Sequence, residues 1–145
     1  MSANSSDKIH IMVDLETYDV KPSAVILSIG AVEICPYLPS DTKTQRTDRR
    51  QKFYVELDPT TQIDRTVSES TKEWWAKQPM PIPIGQYSLY AALDEFMLWL
   101  RDFNAEPVIW CKGTDFDVAI LTNAYNSLYI PVPWKYNNIR DCRGS

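Results

Sequence analysis

The sequence predicts an α/β domain built on a mixed sheet. Three features carry that prediction. Three β-rich runs lie before residue 59 with no helical pattern between them, an amphipathic helical run follows, and a compact strand then leads straight into a further helical run. Strands joined without intervening helices pair antiparallel as a meander. Strands separated by helices pair parallel, so both kinds of pairing are expected in one sheet.

Taken in order, residues 1–7 are polar and read as a flexible tail, with the folded domain spanning 8–145. Residues 9–16 form a β-rich run that ends in acids. A second strand is expected over Ala24–Ile34 and a third over Phe53–Asp58, where Phe53, Val55 and Leu57 alternate with Tyr54, Glu56 and Asp58. Between them lies a long hairpin loop carrying Lys43, Arg46, Arg49, Arg50 and Lys52. It reads as a solvated loop or as a basic flap for a phosphate backbone. The next helix has Ser68 or Ser70 as N-cap, with Glu73 placed to close a capping box on Ser70. It contains Trp74 and Trp75 and stops at Pro79. After a proline-rich connector, Leu89, Leu93, Phe96, Leu100 and Phe103 recur at helical spacing. A strand over Pro107–Gly113 leads into a helix whose inner face is Phe116, Ile120, Leu121, Tyr125 and Leu128. Beyond Pro131 and Pro133 one further strand is expected to begin.

Composition narrows the function. The chain has 145 residues, 44% hydrophobic and 23% charged, which is the profile of one globular domain. No apolar run approaches the roughly 20 residues of a membrane span, and the polar start is unlike a signal peptide. The formal net charge of −4 argues against a passive basic nucleic-acid binder. Cys35, Cys111 and Cys142 are scattered without a metal-binding spacing, as expected of reduced thiols in a cytoplasmic protein.

Two clusters could carry chemistry. Asp14 and Glu16 stand two apart at the end of the first strand, so their carboxylates share a face while Leu15 turns to the core. A bound Mg²⁺ or Mn²⁺ is the usual means of keeping such a pair ionised, although a solvent-facing strand can show the same pattern. The second cluster, Cys111 to Asp117, follows a strand and opens a helix. Asp115 reads as a helix-capping acid, and Asp117 as a possible third carboxylate beside Asp14 and Glu16. His10, the only histidine, reads as a strand residue and not as a catalytic base.

Residues 12–34, with Asp14-Leu15-Glu16 followed by Ser28-Ile29-Gly30-Ala31-Val32, resemble the first motif of the DnaQ-like (DEDD) 3'–5' exonucleases, a branch of the ribonuclease H-like superfamily. The segment from Trp110 to Tyr125 resembles the second motif, with Phe116-Asp117 in the place of its Phe-Asp pair. Residues 53–58, Glu73-Trp74-Trp75 and the late segment 131–141 are similar to a subgroup found in phages and prophages. The resemblance covers nearly all of the chain after the tail.

It implies a ribonuclease H-like fold and two-metal hydrolysis of phosphodiester bonds at the 3' end of single-stranded DNA or RNA in a bacterial or phage-infected cytoplasm. Asp14, Glu16 and Asp117 would be the catalytic, metal-binding acids, with Asp14 serving both Mg²⁺ or Mn²⁺ ions. Leu15 and Thr17, through their backbone, and the ring of Phe116 would hold the terminal nucleotide, with Trp74 or Trp75 available to stack on a base. The family's third motif, a fourth Asp with a preceding His or Tyr, would follow the Arg140-Asp141 segment. The chain ends at Ser145, so a C-terminally truncated domain is expected, with a weakened second metal ion and a surface open to a homo-oligomeric partner. Asp141 aligns with the segment before that motif and is not expected to be a ligand. The contrasting expectation is a catalytically impaired exonuclease fold that binds nucleic acid or a protein partner.

Overall fold

A computed structural model describes residues 7–35, 51–113 and 116–142. Most of the basic loop, nearly all of the tail, and Asp115 lie outside these residues. The elements are β1 (Lys8–Thr17), β2 (Ile26–Ile34), β3 (Lys52–Glu56), a 3-10 turn (Pro59–Thr61), α1 (Glu69–Ala76), α2 (Leu89–Arg101), β4 (Glu106–Cys111), α3 (Asp117–Ser127) and β5 (Ile139–Asp141). Each expected element is present, with ends shifted by one to three residues. The five-stranded sheet has the order β3-β2-β1-β4-β5. β1, β2 and β3 pair antiparallel as the meander required, and β4 and β5 join parallel.

One face of the sheet carries the main core. Ile11, Val13 and Leu15 of β1, Ile29 and Ala31 of β2 and Val55 of β3 pack against α2 and α3. The helical periodicity holds up: Leu89, Leu93, Phe96 and Leu100 are buried, and Phe103 packs against the cluster from its edge. In α3, Ile120, Leu121 and Tyr125 are buried while Phe116 and Leu128 are half-buried. The Tyr125 hydroxyl donates to the Leu93 carbonyl at 2.9 Å, tying the two helices together. Where β1 and β4 begin, Glu106 joins Lys8 at 2.8 Å, Lys135 at 3.0 Å and Asn138 at 2.6 Å, and these partners hold its carboxyl at about 2.

A smaller core lies on the other face, where Val25, Leu27 and Trp75 pack together. A β-bulge creates it. The β1–β2 register jumps from Glu16↔Ser28 to Thr17↔Ile26, leaving Leu27 as the extra residue. Ile26 and Ile29 then both join the main core while Leu27 turns to the opposite face, under α1. Gln62 fixes this end of β2 by standing in for a strand neighbour: its side chain accepts from the Ile26 N–H and donates to the Ile26 carbonyl, each at 2.8 Å.

The capping of α1 corrects one expectation. Ser68 is the N-cap and accepts from the Thr71 N–H, while Ser70 is already helical and bonds the Ser68 hydroxyl at 2.8 Å. Glu73 therefore closes no capping box on Ser70, because the helix starts two residues earlier than that pairing requires. Trp75 anchors α1 by donating its indole N–H to the Thr17 carbonyl at 2.8 Å. Among the described residues, no helix is long and apolar enough to cross a membrane.

The Trp75 anchor gives a direct test. Trp75→Phe keeps a ring but leaves the Thr17 carbonyl buried without its donor, so stability should fall by about 1–3 kcal/mol in urea unfolding. A loss well below that range would show that the bond does not hold α1 to the sheet.

Candidate active site

The strand period fixes the first two acids. Val13, Leu15 and Thr17 are buried on one side of β1, so Asp14 and Glu16 face the other, where Asp14 is exposed and Glu16 half-buried. They look into a cleft of about 460 Å³. Its floor is Asp14, Glu16, Ser28, Gly30 and Tyr54, and its wall is Trp74, Trp75 and the connector residues Gln78, Met80, Pro81 and Pro83. The register lays two rows across three strands, Asp14–Gly30–Tyr54 and Glu16–Ser28–Glu56, and all of these but Glu56 line the cleft, with Glu56 at its border beside Tyr54. The connector comes this close because Gly85 lies directly on β3. A Cβ there would fall 2.3 Å from the Glu56 carbonyl oxygen, so any side chain would push the wall outward.

Asp117 arrives from the other side of β1. The last β1–β4 pair is Met12↔Trp110, and β1 runs five residues further. Along that overhang the Leu15 N–H lies against the Asp117 carboxyl and favours its charged form. The loop before α3 is shaped by Gly113, whose φ of 96° is a conformation that suits glycine. Its N–H donates to Asp141 Oδ1 at 3.3 Å. Asp141 thus fastens this loop at the end of β5.

The three acids share one field. Asp117 is 3% exposed, and its Oδ1 has no hydrogen-bond partner among the described residues. Burial, then the nearby Asp14 and to a lesser degree Glu16, push its carboxyl up to about 7. Burial and Asp14 also raise Glu16. Asp14 is thus the shared member of the cluster. Among the described residues, no group of three such side chains is gathered closely enough to grip an ion as it stands. The donors still suit a hard divalent cation: all are carboxylate oxygens, they repel one another, and one buried oxygen lacks a partner. The buried Cys111 thiol is pushed up to about 11 by burial and by Asp117, and is inert as a nucleophile.

The other expected contacts are placed as follows. The Leu15 side chain is in the main core, leaving only its backbone near the acids. Thr17 is buried; its hydroxyl donates to the Asp19 carbonyl and its own carbonyl accepts from Trp75. Phe116 is half-buried at the start of α3, against the main core. The tryptophans divide: Trp75 is core, and Trp74 is 54% exposed, set edge-on to Trp75 at 5.0 Å. His10 is half-buried and accepts from the Trp110 indole N–H at 3.1 Å; burial and the charges of Arg140 and Lys8 lower its pKa. The sequence reading did not assign Ser28, Tyr54 or Glu56 to the site. The alternation at 53–58 carried the signal, but only the cross-strand register shows that Tyr54 and Glu56 share a face with the acids.

The five-stranded mixed sheet and its flanking helices define a ribonuclease H-like exonuclease fold. Solved structures bear this out. E. coli exonuclease I in complex with a dT13 oligonucleotide matches with a TM-score of 0.62 at 12% identity, over 92% of this chain and 27% of that one. A product-bound exonuclease I gives 0.62 at 13% identity, over 93% of this chain and 30% of that one. The nuclease domain of 3'hExo, a DEDDh family member bound to rAMP, gives 0.56 at 11% identity, over 89% and 64%. The chain thus spans little more than a quarter of exonuclease I. No curated protein matches. Residues 9–144 match the Rv2179c-like 3'-5' exoribonuclease domain, and the chain belongs to that family.

The raised Asp117 carboxyl makes a pH prediction. In the unfolded chain it ionises near 3.8, and in the folded chain near 7. Ionisation therefore favours unfolding increasingly between those values, and the penalty is complete above about pH 7. Without divalent cations, Asp117→Asn should match wild type in melting temperature near pH 4 and melt higher above pH 7. A gap that does not change with pH would contradict this.

Proposed function

We propose that the chain is a metal-dependent 3'-5' exonuclease that shortens single-stranded RNA from its 3' end, with Asp14, Glu16 and Asp117 as its metal-binding acids. The observation that carries this reading is the buried Asp117 oxygen, without a partner among the described residues, beside Asp14 and Glu16, which line the cleft. RNA is preferred over DNA as substrate because the family is an exoribonuclease domain. Mg²⁺ or Mn²⁺ held by these acids would supply a water of lowered pKa and a counter-charge for the departing oxygen. The chain's own residues do the rest. The three acids set where the scissile phosphate sits. The backbone around Leu15 and Thr17 and the Phe116 ring flank the terminal nucleotide, and Trp74 offers a face on which a base can stack. Among the described residues, no lysine or arginine lines the cleft, so cations held by the acids would supply the counter-charge for phosphate there.

The test is incubation of the chain with 5'-labelled single-stranded RNA and DNA in Mg²⁺ or Mn²⁺. Stepwise shortening from the 3' end, faster on RNA and reduced at least 100-fold in Glu16→Ala, is the expected result. Mg²⁺ should also raise the melting temperature of wild type more than that of Asp117→Asn. Binding without shortening would establish instead a nucleic-acid-binding protein with an impaired nuclease fold.

A further inference from the structure

We infer that Tyr54 and Glu56 form a sugar-reading strip, in which the Glu56 carboxylate, held by the Tyr54 phenol, accepts the 2'-hydroxyl of the terminal ribonucleotide. The inference rests on the exonuclease reading above and adds the residues that tell RNA from DNA.

The strip is built by the sheet. Tyr54 and Glu56 stand two apart on β3, opposite Gly30 and Ser28 of β2, which in turn stand opposite Asp14 and Glu16. All six positions point to the cleft face, while Phe53 and Val55 turn to the core. Two strand spacings, about 10 Å, separate the acids from this pair, which leaves room for one nucleoside between the reacting phosphate and β3. Gly30 lies in the middle of that span. A Cβ there would only touch the Asp14 carbonyl oxygen and the Tyr54 ring, each at 3.7 Å, so its lack of a side chain keeps the floor low and open.

The polar groups are oriented and not merely exposed. The Tyr54 hydroxyl donates to Glu56 Oε2 at 2.7 Å, and the Ser28 hydroxyl lies against the phenol oxygen. This chain fixes the carboxylate while its other oxygen has no hydrogen bond among the described residues. The Tyr54 ring is 59% exposed and lies in the floor as a surface for a sugar or base. Burial and Glu56 raise the phenol further above its ordinary value, so it stays a neutral donor to the carboxylate.

Such a strip accepts hydrogen bonds and repels anions. It suits neutral donors, which in a nucleic acid are sugar hydroxyls and base N–H groups. The 2'-hydroxyl is the donor that distinguishes RNA from DNA at every position whatever the base.

The test measures binding by fluorescence anisotropy in Ca²⁺. Two 5'-fluorescein RNA hexamers are compared, identical except that one has a 2'-deoxy sugar at its 3' end, and both carry a terminal phosphorothioate linkage to slow cleavage. Versions ending in uridine and in adenosine separate sugar from base. Wild type should prefer the ribose end by about tenfold, whichever base is present. Glu56→Ala and Tyr54→Phe should each reduce that preference to below about twofold by weakening the ribose probe alone. A preference that survives both substitutions, equal weakening of both probes, a preference that follows the base, or equal wild-type affinities would each overturn the inference and leave the exonuclease reading intact. Failure of wild type to bind either probe would overturn both.

Discussion

The site depends on β1 outrunning β4. Up to Met12 the two strands are neighbours, and then β4 ends and turns away into the loop before α3. The remaining residues of β1 still pair with β2 on one side, while their other side meets no strand among the described residues. That overhang is what allows Asp117 to approach the backbone of Leu15, and so brings an acid from a helix beside two acids from a strand. If β4 were longer, backbone pairing would occupy the same space. Gly113 and Asp141 maintain the divergence, one by its conformation and the other by holding the Gly113 N–H.

The sheet serves two purposes on its two faces. On one, aliphatic and aromatic side chains from three strands and two helices supply the bulk of the hydrophobic stabilisation. On the other, packing is confined to a patch under α1, and the remaining surface is an open polar floor. The bulge at Leu27 lets one strand serve both faces, since it interrupts the alternation where the second core begins. The electrostatic cost of the acids thus falls on a frame secured from behind.

Much of this was legible in the sequence, and particular residues show where legibility stopped. The α2 spacing of Leu89, Leu93, Phe96 and Leu100 gave its buried face directly, because helical period and burial coincide. Asp14 and Glu16 were visible as a same-face pair, and Asp117 through a motif. Ser70 with Glu73 looked like a capping box, yet Ser68 lies earlier, and it is the fold around Thr66 and Ser68 that sets where the helix begins. Tyr54 and Glu56 were seen as a strand face without a neighbour, because cross-strand register is a long-range property. Local spacing likewise could not show that Leu27, inside an apolar run, would turn away from Ile26.

The cleft wall has a thermodynamic consequence. Between α1 and Gly85 the connector places Pro79, Pro81 and Pro83 at alternate positions, and it is held just past β3 by the Gly85 N–H on the Leu57 carbonyl at 2.9 Å. Prolines restrict the unfolded chain, so this segment surrenders little freedom on folding and has little left to lose when a ligand lies against it. A wall ordered in advance does not draw on a ligand's binding free energy to close. Occupancy of such a groove is set by what the ligand itself contributes.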